Sequence, residues 1–412
     1  MRAVVVALGQ MGLPVAVQIA AKGHEVLGAD VDERVVELVN AGTPPFPGEE
    51  GLDTLLADVV AAGRLRATTD TTAAVAEGPD LVLAVPPLYV DDDARPEWDH
   101  VDAATRAIGA GLQRGTTVAF ETTVPVGTTR DRLSPLLEEA SGLSAGSDFH
   151  VVFSPERVSS GRVFADLATY PKLVGGLDAE VERRGAELYR SFLDAEVWEM
   201  GSAEAAEMTK LAETTYRDVN IAYANELARF ADARGVDVQR VIEAANSQPF
   251  SHIHTPGIAV GGHCIPVYPR FYLAGDPDAK LPAAGRDVNT AMPGYAVSLL
   301  GDVSGQRVLV LGVAYRGGVK QTAFSGAHAV RDELVARGAT PVFSDPLFSD
   351  DELRARGFEP WDGNAVDAAI VHTDHAEYRE LSEVPGARLI VDGRGILEPG
   401  RFSVPVLRIG RP

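Results

Sequence analysis

The stretch "AVVVALGQMGLPVAVQIAAKGHEVLGAD", Ala3 to Asp30, decides how the rest of the chain is read. It opens with an all-apolar run, Ala3 to Leu8, of buried-strand length. It continues through "GQMGLP" into an amphipathic helix to about Lys22 and closes with a second strand, "EVLGAD", that ends on Asp30. Strand, glycine turn, helix and strand in that order form the opening βαβ unit of a dinucleotide fold. In its fingerprint the second glycine lets the backbone approach the pyrophosphate and the third lets helix and strand pack closely. An acid about 20 residues on takes the ribose hydroxyls. Gly9, Gly12 and Asp30 fill those places, while Ala7 stands where the first glycine belongs. The same residues would also serve as the tight turn of any βα unit. Asp30 favours the nucleotide, because a carboxylate at the tip of the second strand bonds both ribose hydroxyls and repels a 2′-phosphate, which selects NAD over NADP. Arg34, one turn later, can lie along the adenosine or face solvent.

Working outward, "DLVLAV", "TTVAFET" and "HVVFS" read as further strands, separated by helical stretches that start near Asp99 and Thr128. This is a parallel sheet covered on both faces. From about Ser202 to Gly235 the chain runs without proline or internal glycine, is rich in Ala, Leu and Glu, and stops at a glycine, which predicts one long helix. After Gly301 the alternation resumes with "RVLVLGVAY", a helix from about Gly326 to Gly338, "TPVFSD", "AAIVHT" and "ARLIVDGR". The fold expected is α/β: two Rossmann-like doubly wound domains joined by a helical central domain with one long helix. The boundaries fall at 1–200, 201–300 and 301–412.

Composition narrows the function. A chain of 412 residues with 45% apolar content can bury a large core. Its net charge of −22 argues against non-specific nucleic-acid binding. The longest apolar runs are strand-length and broken by charge, and the N-terminus leads straight into a βα pattern, so neither a membrane span nor export is indicated and the expected location is cytoplasmic. A single cysteine excludes an intramolecular disulfide framework and a multi-thiolate metal site, and no metal is expected.

That cysteine stands in "VGGHCIPVYPRF", Val260 to Phe271. A lone cysteine is often an inert small hydrophobe. Here Gly261 and Gly262 allow close approach of a ligand, and Pro266 and Pro269 stiffen the segment on the C-terminal side of the thiol. His263 is adjacent, but neighbouring side chains diverge, so it is not automatically a base for Cys264. A nucleophilic thiol beside a nicotinamide suggests hydride removal from an aldehyde held as a thiohemiacetal, giving a thioester that water hydrolyses.

The stretches "ETTVPVGTT" (Glu121 to Thr129), "SPERV" (Ser154 to Val158), "PKLVGG" (Pro171 to Gly176), "MTKLAETTYRDVNIAYANELA", "VGGHCIPV", "TDHAEYREL" and "VDGRGIL" resemble, in order and over nearly the whole chain, the UDP-glucose/GDP-mannose dehydrogenase family. "GGHCI" is similar to the branch acting on UDP-N-acetylmannosamine or UDP-N-acetylglucosamine. The resemblance implies an NAD-dependent 6-dehydrogenase that converts a C6 alcohol to a carboxylate with two NAD per turnover. It also implies an N-terminal NAD domain, a dimerising helical centre and a C-terminal domain that grips the nucleotide sugar. It makes Cys264 the nucleophile and Lys210 the ammonium that steadies oxyanion charge or exchanges protons, with Glu156 and Thr123 near the nicotinamide and the hydrolytic water. Gln10, Met11 and Pro86 join the cofactor residues. Arg157, Val158, Phe250, Gly262 and Tyr268 fall to the substrate, as do Tyr315, Arg316 and Arg394 of the C-terminal domain. Lys210, Thr214 and Arg217, at i, i+4 and i+7, share one face of the long helix. A solvated lysine is the plainer alternative for Lys210.

Departures from the family pattern cluster where the substrate should bind. Thr214 replaces an asparagine, Tyr268 an aspartate after the cysteine, and "QPF" (Gln248 to Phe250) an "HPR"; "PGIAVGG" brings Ile258 and Ala259, and Ala323 takes an arginine's place. The expected activity is therefore a nucleotide-sugar dehydrogenase with altered sugar recognition. Two rivals stand beside it: a partial or redox-neutral variant, and a catalytically silent nucleotide-binding scaffold. The stripe Ile221, Ala224, Leu227 and Ala228 suits either a homodimer or burial within one subunit.

Overall fold

Val and Ala fill the first strand because it is covered on both faces: in β1 (Arg2–Val6) every residue after Arg2 is buried. The computed structural model describes residues 1–91 and 95–411 and divides into two units, Met1–Ala212 and Glu213–Pro412. In the first, β1 is followed by β2 (Glu25–Ala29), β3 (Leu65–Thr68), β4 (Leu81–Ala84), β5 (Tyr89–Val90), β6 (Pro96–Glu97), β7 (Thr117–Phe120), β8 (His150–Phe153), β9 (Lys172–Gly176) and β10 (Val197–Glu199). Eight of them form one sheet in the order β10-β9-β8-β7-β4-β1-β2-β3, and β5 pairs with β6 alone. The chain steps from β1 to β3 in one direction and returns to place β4 on the other side of β1. That reversal opens the crevice in which α/β sheets bind ligands, beyond the carboxyl ends of the strands.

Two features differ from the sequence reading. The helix Gly12–Ala21 is buried on most sides rather than amphipathic, because helices Leu52–Ala61 and Val163–Thr169 pack on it as well as the sheet. The sheet is also not wholly parallel: β9 runs antiparallel to β8, with Val152 opposite Gly176 and Phe153 opposite Gly175.

The second unit holds β11 (Arg307–Leu311), β12 (Thr340–Ser344), β13 (Ala368–Val371), β14 (Ile390–Asp392) and β15 (Val406–Arg408). They form an all-parallel sheet in the order β12-β11-β13-β14-β15, again with a reversal beside the first strand. The two doubly wound sheets with helices between them match the expected fold class.

The long helix spans Ala203–Asp232. Of the stripe read from sequence, Ala224 and Ala228 are fully buried in the core of the second unit beside Val238, Ile242, Met292 and Ala296, with Leu227 packed against them. Deeper in the same unit, Asp218 is fully buried. It accepts Arg286 Nε (2.7 Å) at one carboxylate oxygen, and Arg286 Nη2 and Asn289 Nδ2 (2.7 Å) at the other. Asn289 Oδ1 accepts Asn225 Nδ2 (2.9 Å), and Asn225 Oδ1 accepts the Gly257 N–H (2.9 Å). The long helix is thereby tied to helix Lys280–Ser298 and to the segment leading to Cys264. Removing one partner of a buried ion pair strands the other's charge, which costs about 3–5 kcal/mol. Arg286→Leu is expected to lower urea stability by that amount, and Asp218→Asn combined with Arg286→Leu to recover part of it, as read from denaturation midpoints.

Candidate active site

The dinucleotide turn is built from the end of β1. Ala7 donates its N–H to the Ala29 carbonyl (2.8 Å) and adopts φ 73°, the left-handed conformation for which the fingerprint ordinarily has glycine. An alanine there costs roughly 1–2 kcal/mol, which the surrounding turn must offset. Gly12 opens the helix, and a Cβ on it would lie 2.0 Å from the Ala7 carbonyl oxygen, so the third glycine of the pattern is required sterically. Gly9 differs: a Cβ there would meet nothing within 4 Å, leaving an exposed glycine beside the start of the helix. Asp30 accepts the Leu8 N–H (2.7 Å) at one oxygen and the Asp32 N–H (2.9 Å) at the other, which fixes the carboxylate at the tip of β2 against the turn. Open backbone at Gly9, a helix start and an acid at the adjacent strand end fit a dinucleotide. Gln10 is exposed and Met11 half-buried in the same turn, and Arg34 is exposed in the first turn of helix Glu33–Asn40.

Beyond β4, Pro86 is buried, and its carbonyl accepts the Thr122 hydroxyl (2.5 Å), tying this strand end to the one that carries buried Thr123. Glu156, after β8, accepts the N–H groups of Arg157 (2.6 Å) and Val158 (3.0 Å) at one oxygen and Lys172 Nζ (3.0 Å) at the other. The Arg157 guanidinium donates to the Pro171 carbonyl (3.1 Å). Gly9, Asp30, Pro86, Thr123 and Glu156 thus all follow the carboxyl ends of neighbouring strands.

Lys210 is buried, with 7% of its surface exposed, which is not the usual state of a helix lysine. Thr214, one turn on, is buried as well, whereas Arg217 is exposed. Glu207, three residues before Lys210, is fully buried and accepts the N–H groups of Gly127 (2.6 Å) and Thr129 (2.8 Å) and the Thr129 hydroxyl (2.7 Å). It anchors the segment that carries Thr123 to the helix that carries Lys210.

In the second unit Cys264 is exposed and is the first residue of helix Cys264–Gly275. Gly262 takes φ 83° and donates its N–H to the Ala323 carbonyl (3.0 Å). A Cβ on Gly262 would touch the Tyr315 ring at 3.0 Å, and one on Gly261 would crowd the Tyr315 Cβ at 2.8 Å. The loop after β11 therefore lies directly on the cysteine loop. His263 meets Phe324 edge-on at 5.4 Å, and Phe324 itself adopts φ 49°. Burial pushes the His263 imidazole below its ordinary value. Half-buried Arg394 donates Nε to the His372 carbonyl (2.7 Å), and the neighbouring Gly393 carbonyl accepts the Ile258 N–H (3.1 Å). Tyr268, four residues beyond Cys264 on one helix, packs by Phe271. Arg316 is exposed beside the Tyr315 ring, and Phe250 is 92% exposed. The structure thus brings Gly262, Cys264, Tyr315, Ala323 and Arg394 to one region of this unit, while Phe250 stands exposed.

The sequence reading missed Glu207, Asp218, Asn225, Arg286 and Lys172. For Glu207, Asp218 and Asn225 the available signal was charge or amide at intervals along the long helix, which surface positions share; Lys172 at a strand start and Arg286 on helix Lys280–Ser298 carried none.

A doubly wound sheet with an open glycine turn and an acid fixed at the next strand's end, followed by a helix-borne lysine and an exposed cysteine between two glycines and a proline, is the pattern of an NAD-dependent dehydrogenase. The chain belongs to the UDP-glucose/GDP-mannose dehydrogenase family: residues 1–193 match its NAD binding domain, 204–290 its central domain and 309–399 its UDP binding domain. It is 35% identical to the UDP-N-acetyl-D-mannosamine dehydrogenase of Pyrococcus horikoshii over 100% of this chain and 99% of that one. It is 32% identical to the NDP-N-acetyl-D-galactosaminuronic acid dehydrogenase of Ralstonia nicotianae over 97% of each chain. The solved structure of UDP-D-ManNAc dehydrogenase from P. horikoshii superposes with a TM-score of 0.90 at 32% identity, covering 100% of this chain and 99% of that one.

Burial pushes the Glu207 carboxyl up to about 7, against the three hydrogen bonds that favour its anion. A carboxyl raised in the folded state contributes stability that is present below its unfolded value and is lost as pH rises through about 7. Between pH 5 and 8 the wild-type melting temperature should therefore fall relative to that of Glu207→Gln, by roughly 2–4 °C for each kcal/mol lost. Parallel melting curves for the two proteins would contradict the assignment.

Proposed function

We propose that the chain oxidises the C6 alcohol of a UDP-sugar of the N-acetylhexosamine kind to the carboxylate, acting in the cytoplasm as a homodimer. The division 1–200, 201–300 and 301–412 assigns NAD to the first part, Lys210 and Cys264 to the second and the nucleotide sugar to the third. The observation that carries this reading is the exposed Cys264 at the head of a helix, behind a glycine turn held against Tyr315 and Ala323.

NAD, when bound by Gly9, Gln10, Met11, Gly12, Asp30, Arg34, Pro86 and Thr123, supplies hydride acceptance. The chain's own residues do the rest. Lys210 steadies negative charge as the C6 hydroxyl gives up its proton, and the C6 hydride leaves to yield an aldehyde. The Cys264 sulfur adds to that carbon: the S–C bond forms as the C=O π bond opens, and the oxygen takes the thiol proton to become a hydroxyl. Loss of a second hydride and of the hydroxyl proton turns this thiohemiacetal into a thioester. Water, set by Glu156 and Thr123, attacks the thioester; the C–S bond breaks, the thiol is regenerated and the carboxylate leaves. Arg157, Val158, Thr214, Arg217, Phe250, Gly262, Tyr268, Tyr315, Arg316 and Arg394 serve the substrate. The relatives named as UDP-N-acetyl-D-mannosamine and NDP-N-acetyl-D-galactosaminuronic acid dehydrogenases support the sugar class.

A second reading, oxidation that stops early or leaves no net NADH, is favoured by Tyr268, which stands at i+4 from Cys264 where the family has a carboxylate. Counting NADH released per sugar across UDP-, GDP- and dTDP-hexoses separates the two. Two per sugar is expected, with Cys264→Ala at least about 10³-fold slower. One or none supports the early stop, and no reduction with any sugar defeats both.

The dimer reading rests on Tyr216, Tyr223 and Phe230, which stand seven residues apart on the long helix and are 60%, 51% and 62% exposed. Tyr223→Glu is expected to halve the mass seen by light scattering, whereas a wild-type monomer would refute the dimer.

A further inference from the structure

In the first unit a lysine is buried among acids where three neighbouring strands meet. Because β9 runs antiparallel to β8, the register that sets Phe153 against Gly175 also brings the first residue of β9, Lys172, beside Glu156. Lys172 Nζ lies 3.0 Å from Glu156 Oε2 and 2.9 Å from Glu121 Oε1, at the end of β7. The three side chains are 6%, 9% and 0% exposed. Tyr189, from helix Ala179–Arg190, donates its hydroxyl to the same Glu121 oxygen (2.6 Å), and its ring lies 5.3 Å from Nζ. Glu156 Oε1 is filled by the Arg157 and Val158 N–H groups, so both oxygens of Glu156 have donors, whereas Glu121 Oε2 has no hydrogen-bond partner among the described residues. Arg157, Asp166 and Tyr170 line a small cavity beside Glu156 and Lys172, about 10 Å³ in volume and so no larger than one water.

Two carboxyls and one ammonium in a dry site cannot share the cation equally. Glu156 has two backbone donors in addition to Lys172, whereas Glu121 has only Lys172 and Tyr189. We propose that Lys172 is a positioning residue of the reaction, which holds Glu156 as an anion in a single orientation while Glu121 takes the proton that the cluster retains. The directions of titration agree. Burial acts to raise both carboxyls, yet Lys172 and the backbone donors bring Glu156 below its ordinary value, while Glu121 stays above its own.

This inference rests on the role given to Glu156 above. Glu156 is observed kinetically through the acidic limb of the kcat/KM profile. It is observed independently of catalysis by titrating ¹³C-labelled glutamate carboxyls, with the Glu156 signal identified by its loss in Glu156→Gln. Lys172→Met should move both the limb and the Glu156 titration upward by about one pH unit or more, a tenfold loss of kcat/KM at the original limb. Lys172→Arg should restore them. Glu121→Gln, which keeps the neutral form assigned to Glu121, should leave both where they are and serves as the test if Lys172→Met does not fold. Damage to packing alone would move Glu156 in both variants. A Glu156 titration unmoved in folded Lys172→Met, or shifted by about one pH unit in Glu121→Gln, overturns the proposal. If that titration shifts as expected while Glu156→Gln keeps wild-type kcat/KM and pH profile, Lys172 stands as the group that ionises Glu156, and only the catalytic role of Glu156 fails.

Discussion

A charged side chain withdrawn from water must find its counter-charge or its hydrogen bonds inside the fold, and that constraint organises this molecule more than any single apolar contact. Three buried acids show it. Glu207 is met by two backbone N–H groups and a hydroxyl, Asp218 by a two-pronged arginine and an asparagine, and Glu156 by Lys172 and two N–H groups. Each of these ties joins a rigid element to a segment that carries candidate chemistry: Thr123 through Glu207, the approach to Cys264 through Asp218 and Asn225, and the turn of Arg157 and Val158 through Glu156. Because breaking one leaves an uncompensated charge, the site segments are held with little freedom to drift.

Sterics do the same work at the two glycine turns. Gly12 admits the Ala7 carbonyl at a distance no side chain would allow, and Gly262, in the left-handed region at φ 83°, admits the Tyr315 ring where a Cβ would crowd it. The Gly9 backbone, by contrast, stays open for a ligand. The departures from the family pattern sit mostly away from these ties. Thr214 and Tyr268 stand on helices, and Ala323 follows the loop after β11, where its carbonyl receives the Gly262 N–H.

What the sequence made legible was local. Gly9, Gly12 and Asp30 lie within one βαβ unit, so spacing alone placed them side by side, and the long helix announced itself by lacking glycine and proline over Ala203–Asp232. The substitution of Ala7 looked like a defect in the motif, yet the alanine simply adopts the left-handed conformation. Illegible were features that depend on how distant strands align. Lys172 reads as an ordinary residue at a strand start, and only the antiparallel turn of β9 brings it to Glu156 and Glu121. Arg286 likewise looks like a solvated helix arginine until helix packing delivers it to Asp218. The helix Gly12–Ala21 was misread as amphipathic because the two helices that cover its outer side come much later in the chain.

The proposed chemistry depends on one thiol, Cys264. Mass spectrometry of a single turnover, quenched in acid within the first catalytic cycle in the presence of NAD and the UDP-sugar, examines that thiol directly. The expected result is a transient mass increase equal to the oxidised nucleotide sugar, located on the peptide that contains Cys264. NADH formation to completion with that peptide unmodified at every time point would contradict covalent catalysis by Cys264.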